Sequence, residues 1–214
     1  MKKLISILAN ILLLIGCGED SVNWKGGLIG IWQPPGEPIG IMILHQGHDC
    51  FNGCRYDDSL EPIALYFTSN GLRVYGFEMP PDPHNDGPIE KYYQPVIDLL
   101  NELDKENNKL PIYMSGLSGG GWTTSVITAL DNRIIKGYSV EGDPAESDWE
   151  QSHTPYGYLT LYQMAGNRLT HIYRQSFFDC KDWTYPYPCV NDPVATDHYF
   201  SKWAADYILK DILQ

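Results

Sequence analysis

The chain alternates short apolar runs with stretches of helical period. Ile39 to Leu44 reads Ile-Gly-Ile-Met-Ile-Leu, bounded by Pro38 on one side and His45-Gln46-Gly47 on the other. An apolar run this short and unbroken predicts a strand buried on both faces, the habit of a parallel sheet. Leu72–Phe77, Pro111–Met114, Ile134–Val140 and Leu169–Gln175 predict further strands, and residues 27–33 a first one. Between them the period changes. Residues 89–107 set Tyr93, Val96, Ile97, Leu100 and Leu103 on one helical face. Residues 59–69 (closed by Asn70-Gly71), 119–130, 156–165 and 199–213 read as helices, and Pro80-Pro81-Asp82-Pro83 as a loop. Strands alternating with helices predict an α/β domain with a mainly parallel central sheet. The 214 residues suit one domain with a substantial core, and no repeat or second domain is visible.

The first residues are patterned differently. Lys2 and Lys3 precede an apolar stretch from Leu4 to Ile15, broken by Ser6 and Asn10, and Leu14-Ile15-Gly16 leads into Cys17. A positive start, a short apolar segment and a small residue before the cut site make an export signal. The cysteine in that setting resembles the lipobox of bacterial lipoproteins. The resemblance implies a signal peptide over 1–16, a lipid thioether on Cys17, and an extracytoplasmic protein anchored to a membrane in the periplasm or at the cell surface. Residues 17–26 would be a tether. No apolar run reaches the roughly 18 residues of a spanning helix.

Composition narrows the function. A hydrophobic fraction of 43% with 20% charged residues excludes a disordered or fibrous chain. The net charge of −12 leaves little to neutralise phosphates, so nucleic acid is not an expected partner. Without Cys17, four cysteines remain: Cys50, Cys54, Cys180 and Cys189. An even number in an exported chain suggests disulfides, and of the three pairings the local one, Cys50–Cys54 with Cys180–Cys189, is preferred because each pair flanks a turn-rich loop. A zinc site is the weaker rival, because neither pair has two-residue spacing and no matching His pair is present, and His45-x-x-His48-Asp49 at a strand end does not present ligands as a helix would.

Pro111-Ile-Tyr-Met-Ser-Gly116-Leu-Ser118-Gly119-Gly120-Gly121-Trp122 is a predicted strand, a tight turn and a helix start, and it contains Gly116-x-Ser118-x-Gly120. Such a turn holds its serine in a strained conformation at a helix N-terminus. There, N–H groups and the helix dipole favour an oxyanion, and small neighbours are needed for the chain to pass. This elbow, His45-Gln46-Gly47 after an apolar strand, and Ala129-Leu-Asp-Asn-Arg-Ile before the next strand together resemble the α/β-hydrolase superfamily. The likeness runs from about Ile39 to the C-terminus. It implies a compact α/β-hydrolase domain over 27–214, a three-layer αβα sandwich without a large cap. It further implies a serine hydrolase, most simply a carboxylesterase-like enzyme, working through an acyl-enzyme on a small or polymeric ester without metal or organic cofactor.

The superfamily's chain order is Ser, acid, His. Ser118 is therefore the expected nucleophile, Asp179 at the end of a strand over Thr170–Phe178 the acid, and His198 before the closing helix the base. Glu141 and Asp143 are alternative acids, and Asp182, Asp192 and Asp197 lie close in sequence. Gly119 and Gln46 are the expected oxyanion donors through their backbone N–H groups, with Gly47 and His48 beside them. His45 and His48 could line the site, whereas His171 falls inside a strand and His84 and His153 in loops. Trp122, Tyr156, Tyr158, Trp183, Tyr185 and Tyr187 are candidates for a substrate groove, with Pro186 and Pro188 as a rigid rim, and Glu141–Asp148 reads as a solvated loop. Little chain separates Asp179 from His198, so a Cys180–Cys189 bridge is expected to replace the usual last strand. The rival readings are a serine peptidase or amidase on the same fold, and a catalytically silent surface-binding lipoprotein. The sequence leaves the oligomeric state open.

Overall fold

A computed structural model describes residues 27–47, 60–79, 90–142, 158–176, 178–182, 188–196 and 199–214. Among them, seven strands form one sheet: β1 (Leu28–Trp32), β2 (Gly40–His45), β3 (Leu72–Phe77), β4 (Ile112–Leu117), β5 (Ile134–Val140), β6 (Leu169–Arg174) and β7 (Cys189–Asp192). The helices are α1 (Leu60–Ser69), α2 (Glu90–Lys105), α3 (Gly119–Leu130), α4 (Tyr158–Ala165) and α5 (Lys202–Ile212). Strands lie in the order β1-β3-β2-β4-β5-β6-β7. Only β1 runs antiparallel to its neighbour, β3; every other pairing is parallel.

The two-residue period of a strand divides the core between two faces. Met42 and Leu44 of β2 join Leu60, Ile63, Ala64 and Phe67 of α1 and Ala204, Ala205, Ile208 and Leu209 of α5. Ile41 and Ile43 face the other way, against Val96, Leu99, Leu100 and Leu103 of α2 and Ile127 of α3. Helices therefore cover both faces, which is the three-layer arrangement expected. The central strands have no solvent-facing side, so every residue of β2 and β4 is buried. Each fully buried aliphatic side chain of this kind contributes roughly 1.5–3 kcal/mol. A third cluster joins α3 to α4: Trp122, Val126 and Ala129 meet Leu161, Tyr162 and Ala165. Trp122 stands edge-on to Tyr92, ring centroids 6.2 Å apart. It belongs to the core, not to a groove.

Helix α3 is buried from Gly120 to Ala129 although its sequence is rich in hydroxyls. Thr123, Thr124 and Ser125 donate their hydroxyls to the carbonyls of Gly119, Gly120 and Gly121 at 3.1, 2.8 and 3.1 Å, so these polar groups are paired within the helix.

Three boundaries differ from the sequence reading. β4 runs on through Ser115-Gly116-Leu117, and Ser115 Oγ donates to the Tyr138 carbonyl at 2.9 Å. β6 ends at Arg174 instead of reaching Phe178, so Asp179 stands on the loop beyond it. The last strand is not replaced. β7 pairs in parallel with β6, and the Cys180–Cys189 disulfide fastens the loop after β6 to the first residue of that strand. Cys50 and Cys54 lie outside the described residues.

His171 is fully buried in β6, its ring edge-on to Tyr162 at 4.7 Å and stacked with Tyr173 at 5.9 Å. Burial depresses its pKa from the ordinary 6.5 to about 3. It is a neutral core histidine. Between these two values the unfolded chain binds a proton that the folded chain refuses, so stability falls as the pH drops from 6.5 towards 3. His171→Gln removes that contribution. The stability advantage of wild type over the variant, from urea unfolding, is expected to shrink by roughly 3 kcal/mol between pH 7 and pH 4.5. A pH-independent difference would refute the assignment.

Candidate active site

Ser118 joins β4 directly to α3 with φ 56 and ψ −122, a conformation L-residues rarely adopt. Two backbone bonds hold it there. Its N–H donates to the Val140 carbonyl at the end of β5 (2.9 Å), and its carbonyl accepts the Trp122 N–H (3.0 Å). The Ser118 side chain does not cap the helix, so the N-terminal turn of α3 faces the site with its dipole uncapped by that hydroxyl.

The turn closes because backbone lies on backbone. A Cβ on Gly120 would run into the His45 carbonyl, with its carbon at 2.7 Å and the Gln46 carbonyl carbon at 3.1 Å. A Cβ on Gly47 would lie 2.7 Å from the Leu117 carbonyl oxygen, 2.8 Å from Ser118 Cβ and 3.2 Å from the Gly119 nitrogen. The loop after β2 thus passes over the elbow with no room for a side chain at position 47. His45 braces that loop from inside the fold. It is buried and stacks on Phe77 at 6.3 Å, and its Nδ1, 2.8 Å from the Gln46 carbonyl, must carry the proton of that bond.

Gln46 is brought to the elbow, but its N–H donates to the Phe77 carbonyl at 2.7 Å and extends the β2–β3 ladder. That donor is engaged in the ladder, and Gly47 is the next residue along the loop. Side-chain patterns carry no trace of which backbone N–H a ladder uses.

The ends of β5 to β7 carry the acidic candidates. Glu141 follows β5 with φ 48. Its carboxylate is buried and Oε1 lies 3.4 Å from Arg174 Nε, so it is no part of a solvated loop. Asp192 ends β7, accepts the N–H groups of Val194 and Ala195 at 2.9 and 3.0 Å, and receives the Ser201 hydroxyl. Ser201 in turn caps α5 by accepting the Ala204 N–H at 3.0 Å. The Asp192 carboxylate is a structural latch. Asp179 is half-buried. The Lys181 backbone N–H, 3.0 Å from Oδ1, together with the Lys181 charge holds its carboxyl below the usual range against some desolvation. It is therefore an anion at neutral pH, as an imidazole-orienting group must be. His198, His48, His84, His153, Asp143, Asp197, Tyr156, Trp183, Tyr185, Pro186, Tyr187 and Cys17 lie outside the described residues.

Ser118 and the Gln46-Gly47 loop thus meet where the C-terminal ends of the parallel strands converge. Such a site can hold an acyl carbonyl between a hydroxyl nucleophile and backbone N–H groups.

No family model and no curated protein matches the sequence. Solved structures match over most of the chain. Est1E from Butyrivibrio proteoclasticus superposes with a TM-score of 0.64 at 13% identity, over 88% of this chain and 100% of that one. An alpha-beta serine hydrolase homologue from Coxiella burnetii gives 0.59 at 16%, over 87% and 94%. A dienelactone hydrolase from Anabaena variabilis gives 0.59 at 14%, over 85% and 87%. With β1 the one antiparallel strand among the described residues, its strained serine between β4 and α3, and this common superposition, the chain has the fold of the α/β hydrolases.

Proposed function

We propose that the protein is a serine hydrolase of carboxylic esters, with Ser118 as nucleophile, His198 as general base and then acid, and Asp179 as the group that orients the imidazole. The observation that carries this reading is Ser118 itself, an L-residue kept at φ 56 between a buried strand and a helix N-terminus. A backbone strained in this way is supported by its surroundings at a cost of order 1–3 kcal/mol, and a merely structural turn would be served as well by glycine. Similarity of fold to an alpha-beta serine hydrolase homologue and to a dienelactone hydrolase agrees with it.

In the proposed reaction Ser118 Oγ attacks the acyl carbon and its proton passes to His198. The N–H groups of Gly119 and Gly47 hold the tetrahedral oxyanion. Collapse expels the alcohol, which takes the proton from His198. Water then attacks the acyl-enzyme in the same manner and releases the acid and free Ser118. The scheme uses no metal or organic cofactor. From the export-signal pattern of residues 1–16 and from Cys17 we infer, in addition, a lipid anchor that holds the protein on the outer side of a membrane.

The test is active-site labelling of the full chain with a fluorophosphonate, mapped by peptide mass, beside hydrolysis of p-nitrophenyl esters of graded acyl length. The expected result is one label, on Ser118, and turnover of short-chain esters; Ser118→Ala shows neither. Labelling without ester turnover would point to a peptidase or amidase. No label at all would leave a silent binding fold and reject the enzyme.

A further inference from the structure

Asn191 lies on β7 opposite Tyr173 of β6. Its side chain reaches three backbone groups of the neighbouring chain. Oδ1 accepts the Cys180 N–H at 2.9 Å, and Nδ2 donates to the Phe178 carbonyl at 2.6 Å and to the Tyr173 carbonyl at 3.3 Å. The partners fix the amide's orientation, since two carbonyls require the NH2 and an N–H requires the oxygen. Phe178 and Cys180 are the residues on either side of Asp179. The amide therefore grips the loop immediately before and immediately after the proposed acid, while the Cys180–Cys189 disulfide ties the same loop to the start of β7. The loop needs such a grip. β6 ends at Arg174, so strand pairing does not reach Asp179, and the carboxylate's own partners are near neighbours in sequence, Lys181 and the Gln175 side chain just past the strand's end.

We infer that Asn191 is the positioning residue that presents the Asp179 carboxylate, acting on the reaction through Asp179 and not on the substrate. The inference rests on the hydrolase reading above. A carboxylate held in place on a half-buried loop contributes to the chemical step only while its geometry is kept, and a displacement near 1 Å lowers turnover by on the order of 100-fold. An aspartate at 191 would keep an acceptor for Cys180 and lose both donated bonds.

The test is a double-mutant cycle on the full, oxidised chain with p-nitrophenyl acetate. Asn191→Ala is expected to lower kcat about 10- to 100-fold with KM held within about twofold, because positioning is felt in the transition state. In an Asp179→Asn background the same substitution is expected to lower kcat no further than about twofold. Asn191→Asp, close to isosteric, makes the same comparison should the alanine variant fail to fold. Losses that multiply in full would assign Asn191 a role independent of Asp179 and overturn the inference. So would an unchanged kcat in Asn191→Ala, or an Asp179→Asn variant as active as wild type. In those cases Ser118→Ala still abolishes turnover and Ser118 stands as the nucleophile, while an active Asp179→Asn variant also removes Asp179 as the orienting acid. A wild type with neither turnover nor fluorophosphonate label overturns both.

Discussion

On the hydrolase reading proposed above, Ser118→Gly is expected to abolish ester turnover and stabilise the protein in the same step. Loss of the nucleophile should lower kcat by roughly 10⁴- to 10⁶-fold, the oxyanion site alone sustaining what remains. The stability gain follows from the backbone. At φ 56 and ψ −122 the Ser118 Cβ is strained, and strain of this kind costs about 1–3 kcal/mol. Glycine adopts that region freely but gives up about 0.5–1 kcal/mol through the larger entropy of its unfolded chain. The net expectation is a gain of about 1 kcal/mol in urea unfolding. Ser118→Ala separates the two effects: it removes the hydroxyl and keeps the Cβ, so it should be equally inactive and within roughly 0.5 kcal/mol of wild type. If Ser118→Gly is no more stable than Ser118→Ala, the elbow holds no strain; if either keeps a thousandth of wild-type turnover, Ser118 is not the nucleophile.

Gly120→Ala should do the reverse, damaging fold and function together. The added methyl meets the backbone of His45 and Gln46, which cannot rotate away as a side chain could. His45 is also fixed by its ladder with β3 and β4 and by its stacking on Phe77. Overpacking against movable side chains costs about 1–3 kcal/mol, so at least 3 kcal/mol is expected here. Whatever protein folds must push α3 away from β2. That shifts Ser118 relative to Gly47 and should lower kcat/KM by on the order of 100-fold or more. Gly36→Ala is the matched control, since a Cβ there meets nothing within 4 Å. It should stay within roughly 0.5 kcal/mol of wild type. A Gly120→Ala protein as stable and active as that control would show that the close approach of the two segments is not what builds the site.

The elements read most clearly from sequence were those buried on both faces. β2, β3 and β5 appear within a residue of their observed ends, because most of their positions are buried and apolar, with Arg73, Ile135 and Lys136 the more exposed exceptions near the strand starts. The elbow was legible for a related reason: a chain this tight leaves no room for a side chain at positions 116 and 120, and that leaves a spelling. What escaped notice lacks such pressure. β7 is four residues long at a sheet edge, half-exposed for three of them, with Asn191 and Asp192 in polar roles, so neither run nor alternation marks it. The end of β4 was missed because Ser115 and Gly116 break the apolar run while the backbone continues its pairing. The engagement of the Gln46 N–H is a property of the main chain, since the Phe77 carbonyl takes it whatever the side chain is. Asn191 had no signature at all, for its partners are backbone groups eleven to eighteen residues away.

The Cys180–Cys189 bridge spans nine residues and draws on no other part of the chain. The core clusters on both faces of the sheet contain no cysteine, and strands β1 to β6 pair without help from the bridge. A batch made in a reducing compartment would therefore keep its circular dichroism while the loop bearing Asp179 lost its covalent tie. On the hydrolase reading, the specific activity of a preparation would then follow its fraction of oxidised molecules, which a spectroscopic proof of folding does not count.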